Sequence, residues 1–172
     1  LCRLAASHRT CALELSRKLL NHIGPTPNAK YAWHDRQISG LSDAALSYVA
    51  ALAATTTVTG LQLHTFLPWQ AVIAANSLPL HKAGQFCTQC LYDDRQSGGT
   101  PYMRLCWEPT ISSVCHRHQI ALRSDCPHCG KTNIRHTRTF TVMGWCSSCH
   151  QFLGQPAIEE KVGGLSLWQS QQ

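Results

Sequence analysis

Between residues 87 and 149 the chain sets four pairs of soft ligands, each with two residues between its members: "CTQC" (Cys87, Cys90), "CHRH" (Cys115, His118), "CPHC" (Cys126, Cys129) and "CSSC" (Cys146, Cys149). A C-x-x-C turn lets two thiolates converge on one ion about 2.3 Å away, leaving backbone N–H groups free to bond the sulfurs. One such turn would suit a redox pair equally well. Four of them offer eight ligand positions, the number that two tetrahedral zinc ions need.

Chain order suggests how the pairs combine. Cys126, Cys129, Cys146 and Cys149 form C-x2-C-x16-C-x2-C, a zinc-ribbon spacing. Cys87, Cys90, Cys115 and His118 form C-x2-C-x24-C-x2-H, with a longer loop. An interleaved arrangement, joining Cys87 and Cys90 to Cys126 and Cys129, stays open at this level. His118 is preferred to His116 because C-x-x-H reproduces the knuckle spacing. His116, His128 and His150, which neighbour these ligands, read as exposed polar residues. Of the ten cysteines, Cys2, Cys11 and Cys106 remain, and read as core packing.

The competing explanation is a disulfide framework. An even cysteine count fits it, but the doublet spacing does not, and no n-region and h-region pattern opens the chain. A thioredoxin-like pair is disfavoured because no βαβ pattern surrounds any doublet. Gly130, directly after "CPHC", is expected at positive φ, which glycine adopts without steric cost. The "GKT" it begins is no phosphate loop: the first glycine of G-x4-G-K-[ST] would fall at Asp125.

The rest of the chain reads differently. With 172 residues, 44% apolar and 14% charged, it has room for one ordinary domain or two small ones. No apolar run approaches the roughly 18 residues of a membrane helix. The chain begins at a leucine inside a helical pattern, so a preceding piece is expected. "LCRLAA" and "CALELSRKLL" have helical spacing, with "SHRT" as a turn between them. "NHIGPTPNAKYAWHDRQISG" reads as a loop. Ser42 and Asp43 offer an N-cap to "AALSYVAALAA", and Thr59 a cap to a short helix through "GLQLHTFL". Such a pattern is compatible with a helix-turn-helix. "PYMRLCW" and "RTFTVMGW" read as strands.

The expected fold is therefore α+β: an all-α, helix-turn-helix-like domain over 1–80, a two-zinc ribbon and knuckle domain over 81–155, and a tail over 156–172. Few large aliphatics lie in the second domain, so structural zinc, contributing roughly 10 to 16 kcal/mol of apparent binding energy, is expected in place of a hydrophobic core.

The formal charge is +6, but a zinc site of three thiolates and a histidine would carry −1 and one of four thiolates −2, so the balance falls to +3. This permits nucleic-acid binding without arguing for it. Candidate phosphate contacts are Arg3, Arg9, Arg17 and Lys18 in the first helices, with Arg117, Arg123, Lys131, Arg135 and Arg138 in the zinc half. No catalytic set emerges. Asp93, Asp94 and Glu108 read as solvent-exposed acids, no deaminase pattern is present, and both zinc sites are closed, with no position left for water or substrate.

The order "FCTQCLYDD", "PYMRLCW" (with Arg104 and Trp107), "VCHRHQIAL", "CPHCG" and "GWCSSC" resembles the TniQ family, which includes TnsD-like proteins of bacterial transposons. "LCRLAASHRTCALEL" resembles the family's opening helix-turn-helix, although the turn glycine near "SHR" is absent. "ALAATTTVTGLQLHTFL" is similar to its later segment. The resemblance implies a non-enzymatic, cytoplasmic bacterial adaptor for transposition target selection. It would link a target-recognition complex (RNA-guided in some systems) or a DNA site to the AAA+ transposition ATPase, and would pair with itself. TnsD-like members carry a further C-terminal region for site reading, so direct DNA reading by this chain is not implied. The alternative is a free-standing zinc-ribbon and helix-turn-helix DNA-binding regulator. A metal-dependent nuclease is a distant third.

Overall fold

A computed structural model describes residues 2–21, 43–71, 84–132 and 142–156. Its first described stretch holds α1 (Cys2–Ser7) and α2 (Ala12–Asn21), with the expected turn between them. The turn solves the missing-glycine problem in an unexpected way. Arg9 itself takes the left-handed conformation, φ 52°, and Thr10 N–H reaches back to Ala5 O at 3.0 Å. That six-to-one bond across a left-handed residue is the Schellman way to end a helix. Cys11, expected in the core, is only half-buried and instead serves the start of α2, its Sγ accepting from Glu14 N–H at 3.3 Å.

Helix α3 (Asp43–Thr55) packs on α2. Ala5, Leu19, Ala45, Tyr48 and Ala51 are buried, and the small alanines let the backbones approach. Ser16 and Tyr48 are buried polar residues whose hydroxyls satisfy one another, so neither leaves an unpaired group inside. Burial pushes the Tyr48 phenol up, partly offset by the Ser16 bond. Two 3-10 turns follow, Leu61–His64 and Leu67–Trp69. Gly60 rather than Thr59 precedes the first, at φ 74° and without a side-chain cap. The Ser42 half of the expected α3 cap lies outside the described residues. Among the described residues, no helix is long and apolar enough to cross a membrane.

The C-terminal half contains α4 (Thr88–Gln96), a 3-10 turn (Leu105–Trp107) and four isolated antiparallel bridges, Phe86 with Arg123, Val114 with Ala121, Asp125 with Thr132 and Trp145 with Phe152. "PYMRLCW" is thus not the expected strand. Its chain is extended at Arg104 and then turns, which carries Trp107 inward to 1% exposure. The first half of "RTFTVMGW" lies outside the described residues; its last four form a turn that enters the Trp145 bridge.

Phe86, Leu91, Trp107 and Leu153 form one buried cluster with Cys87, Cys90, Cys115, Cys126 and Cys146. The half therefore has an apolar core after all, and the cysteines are part of it. Full burial of such side chains contributes about 1.5–3 kcal/mol each, so the four together contribute roughly 6–12 kcal/mol, of the same order as the roughly 10–16 kcal/mol of a single structural zinc. Residues 153–155 return to α4, where Gln155 N–H bonds Thr88 O at 3.1 Å.

Candidate metal centres

Three of the four doublets fold into the same local device. In each, the leading cysteine accepts at its carbonyl from the N–H four residues on: Gln119 to Cys115, Gly130 to Cys126 and His150 to Cys146. Its own N–H bonds the carbonyl of Ile120, Lys131 or Gln151 in turn. A one-residue bridge closes each knuckle. The fourth residue after the cysteine takes positive φ every time: 55° at Gln119, 68° at Gly130 and 59° at His150. The expected glycine conformation is present, and two non-glycine residues share it.

The turn has a chemical purpose. It aims backbone N–H groups at the leading sulfur: His128 N lies 3.4 Å from Cys126 Sγ, and Ser148 N 3.4 Å from Cys146 Sγ. Cys87–Cys90 differs. Cys87 caps α4, its Sγ accepting from Cys90 N–H at 3.4 Å, so this doublet presents its sulfurs from the start of a helix.

The doublets combine in chain order, not interleaved. Cys87, Cys90, Cys115 and His118 form one set, and Cys126, Cys129, Cys146 and Cys149 the other, with the ligand atoms of each within 4.8 Å of one another. A tetrahedron with Zn–S bonds of about 2.3 Å places its sulfurs about 3.8 Å apart. The measured separations are 3.6 Å for Cys90–Cys115, 3.6 Å for Cys126–Cys149 and 3.9 Å for Cys129–Cys146. A disulfide would require about 2.05 Å, and these seven cysteines are all free. Donor type, number and spacing all fit a zinc-sized dication.

In the first centre His118 turns Nδ1 toward the sulfurs, 3.2 Å from Cys90 and 3.5 Å from Cys87, while Nε2 meets Asp93 at 2.8 Å. A carboxylate on the far nitrogen fixes the tautomer, leaving Nδ1 free to bind metal. Asp93 had read as a surface acid. So had Asp94, which pairs with the Arg104 guanidinium at 2.8 Å in a largely buried bridge. Neither role could be seen from spacing, because both partners come from later loops.

Charge is unevenly distributed over the sulfurs. Burial pushes the Cys87 thiol up to about 11, and burial with the Cys87 charge raises Cys90 further still. At Cys115, burial is outweighed by the N–H groups of His118 and Arg117, and the thiol falls below its ordinary value. Cys146 behaves alike: burial is overcome by the N–H groups of Cys149 and Ser148, bringing it to about 7. Burial raises Cys126 to about 12. Each centre thus has one thiol that ionises ahead of its neighbours, and a bound dication must expel the remaining protons.

The remaining candidates scatter. Cys106 is exposed rather than packed, with its Sγ 3.8 Å from His116 Nδ1. His116, His128 and His150 are exposed or half-exposed, and His128 Nε2 bonds Phe152 O at 2.8 Å. Arg9, Arg17, Arg117 and Lys131 are exposed. Lys18 pairs with Glu14 at 3.0 Å, and Arg123 with Asp125 at 2.6 Å. The Cys2 and Arg3 side chains, Arg135 and Arg138 lie outside the described residues. These cations do not gather on one described element.

Helices followed by two doublet-built sets of four ligands define a protein with two candidate structural metal centres. The TniQ family model matches residues 1–122, and the chain belongs to the TniQ family, whose members serve transposition target selection as accessory proteins. The match takes in the helical half and the first centre and ends before the second. No curated protein matches the chain.

Proposed function

We propose that this chain is a transposition target-selection adaptor that links a target-recognition complex, or a DNA site, to the transposition ATPase, with two structural zinc ions setting the shape of its C-terminal half. Cys87, Cys90, Cys115 and His118 hold one ion; Cys126, Cys129, Cys146 and Cys149 hold the other. The family match over residues 1–122 carries this reading. The closed ligand sets support it, because neither leaves a coordination position for substrate.

The same reading places a helix-turn-helix-like domain over 1–80, a double zinc domain over 81–155 and a tail over 156–172. It makes Arg3, Arg9, Arg17, Lys18, Arg117, Arg123, Lys131, Arg135 and Arg138 the candidates for phosphate contact, in a bacterial cytoplasmic protein that pairs with itself. Co-purification with the ATPase and recognition complex encoded beside it is the test. An adaptor is retained through protein partners and holds naked DNA weakly alone. A chain that ignores those partners yet binds DNA tightly, with affinity falling steeply as salt rises, is instead a free-standing regulator.

A further inference from the structure

Arg104 is a charged side chain where charge is costly. Its side chain is 9% exposed, and it lies over the Tyr102 ring at 4.4 Å and the Trp107 ring at 5.0 Å. Asp94 takes only one arm of the guanidinium, Nη2 to Oδ1 at 2.8 Å. The other arm, Nη1, is buried without a hydrogen-bond partner among the described residues, as are Asp94 Oδ2 and Trp107 Nε1. A guanidinium kept only to neutralise a carboxylate would use both arms, since the forked pair is the stronger geometry.

The position of Asp94 explains what else the cation faces. Cys90 and Asp94 are four residues apart on α4, so they lie on one helix face, one turn from each other. Arg104, tied to Asp94, therefore sits by the turn that carries the Cys90 sulfur. Burial works against its charge, and the Asp94 bond offsets that cost.

We propose that Arg104 is the positioning cation of the first centre: a buried guanidinium, clamped by Asp94, Tyr102 and Trp107, that offsets the negative charge which three sulfurs retain around a bound dication. The inference rests on the zinc reading above. The fully protonated ligand set is neutral and the loaded set carries a net charge of −1, so a fixed positive charge held one helical turn from Cys90 favours the loaded state. The guanidinium, permanently protonated, supplies that charge without titrating.

The test uses the full chain with Arg104→Met, Arg104→Lys and Asp94→Asn. Competition with a chromogenic chelator reads zinc affinity, and cadmium NMR separates the histidine-containing centre from the all-thiolate one. Arg104→Met is expected to weaken the first centre by about tenfold or more and leave the second unchanged. Arg104→Lys should recover most of the loss. Asp94→Asn, which keeps an acceptor and removes a negative charge, should leave affinity equal or higher. Were Asp94→Asn to weaken the centre as Arg104→Met does, or Arg104→Lys to rescue nothing, Arg104 would be a packing and ion-pair residue and the inference would fail. If Arg104→Met does not fold, the other two variants decide. A wild-type chain that takes up no metal at the first centre overturns the zinc reading and this inference together; normal uptake with three indifferent variants overturns this inference alone.

Discussion

At the first centre a helix supplies two of the ligands and a knuckle the other two; at the second, both pairs are knuckles. Cys87, Cys90 and Cys115 are fully buried, whereas Cys129 is exposed and Cys149 half-exposed. Beside the first centre lie charged groups, Asp93 behind His118 and the Asp94–Arg104 pair one helical turn from Cys90. The second leans on its neighbour through small and flat residues. Trp145 and Phe152 pack at 5.3 Å, the Arg95 guanidinium of α4 covers both rings, and Gly154 lies directly against α4. Equal ligand number therefore does not mean equal integration. The first centre is built into the core with all three of its sulfurs, whereas the second contributes only Cys126 and Cys146 to it and is otherwise docked on it.

The sharpest way to break this comparison is to remove one ligand from each centre. Cys115→Ser should abolish the cooperative thermal transition of the C-terminal half, because zinc coupling on the order of 10 kcal/mol is as large as the whole contribution of the apolar cluster. Cys129→Ser should lose one metal and keep the other. Native mass spectrometry with melting curves reads both. Equal collapse in the two variants would erase the distinction between built-in and docked.

Next in size is the histidine support. Asp93→Ala should lower metal affinity at the first centre by about 10- to 100-fold with no change at the second, as measured by chelator competition. An undiminished first centre would mean that the Asp93–His118 contact is incidental.

A smaller effect concerns the docking itself. In Gly154→Ala the new Cβ would come 2.6 Å from Tyr92 N and press on the Phe152 ring. Backbone cannot yield as a side-chain tip can, so a loss of about 1–3 kcal/mol is expected, with faster zinc release from the second centre than from the first. If both centres release at their original rates, the contact does not hold the second in place.

The smallest change is at the knuckle turns. Gln119 and His150 hold positive φ at a cost that glycine avoids. Gln119→Gly and His150→Gly should each raise stability by under about 1 kcal/mol, the relief being partly cancelled by the added freedom of the unfolded chain. Chemical denaturation would show it, and a clear loss in either would mean those side chains do more than occupy a turn.

How far the sequence disclosed this arrangement depends on range. Ligand spacing was legible because two residues between sulfurs is itself the geometric requirement, and the knuckle turn is local. The turn after α1 was placed correctly, since it separates two helical patterns, although nothing marked Arg9 as the residue to take glycine's conformation. Helix α4 was missed: "TQCLYDDRQ" has little apolar periodicity, and its start is set by the Cys87 sulfur. Asp93 and Asp94 looked like surface acids because their partners, His118 and Arg104, return from elsewhere in the chain. Trp107 was read within a strand, but the demand to bury its ring converted that segment into a turn.

The central claim is that two closed tetrahedra of zinc, not disulfides, hold residues 87–149. The direct measurement is native mass spectrometry of the purified chain, paired with alkylation mapping of its cysteines. The account predicts two zinc ions per chain, with the seven ligand thiols blocked until metal is chelated and the exposed Cys106 modified from the outset. A folded chain carrying no metal, or one in which those seven sulfurs are joined in disulfides, would contradict it.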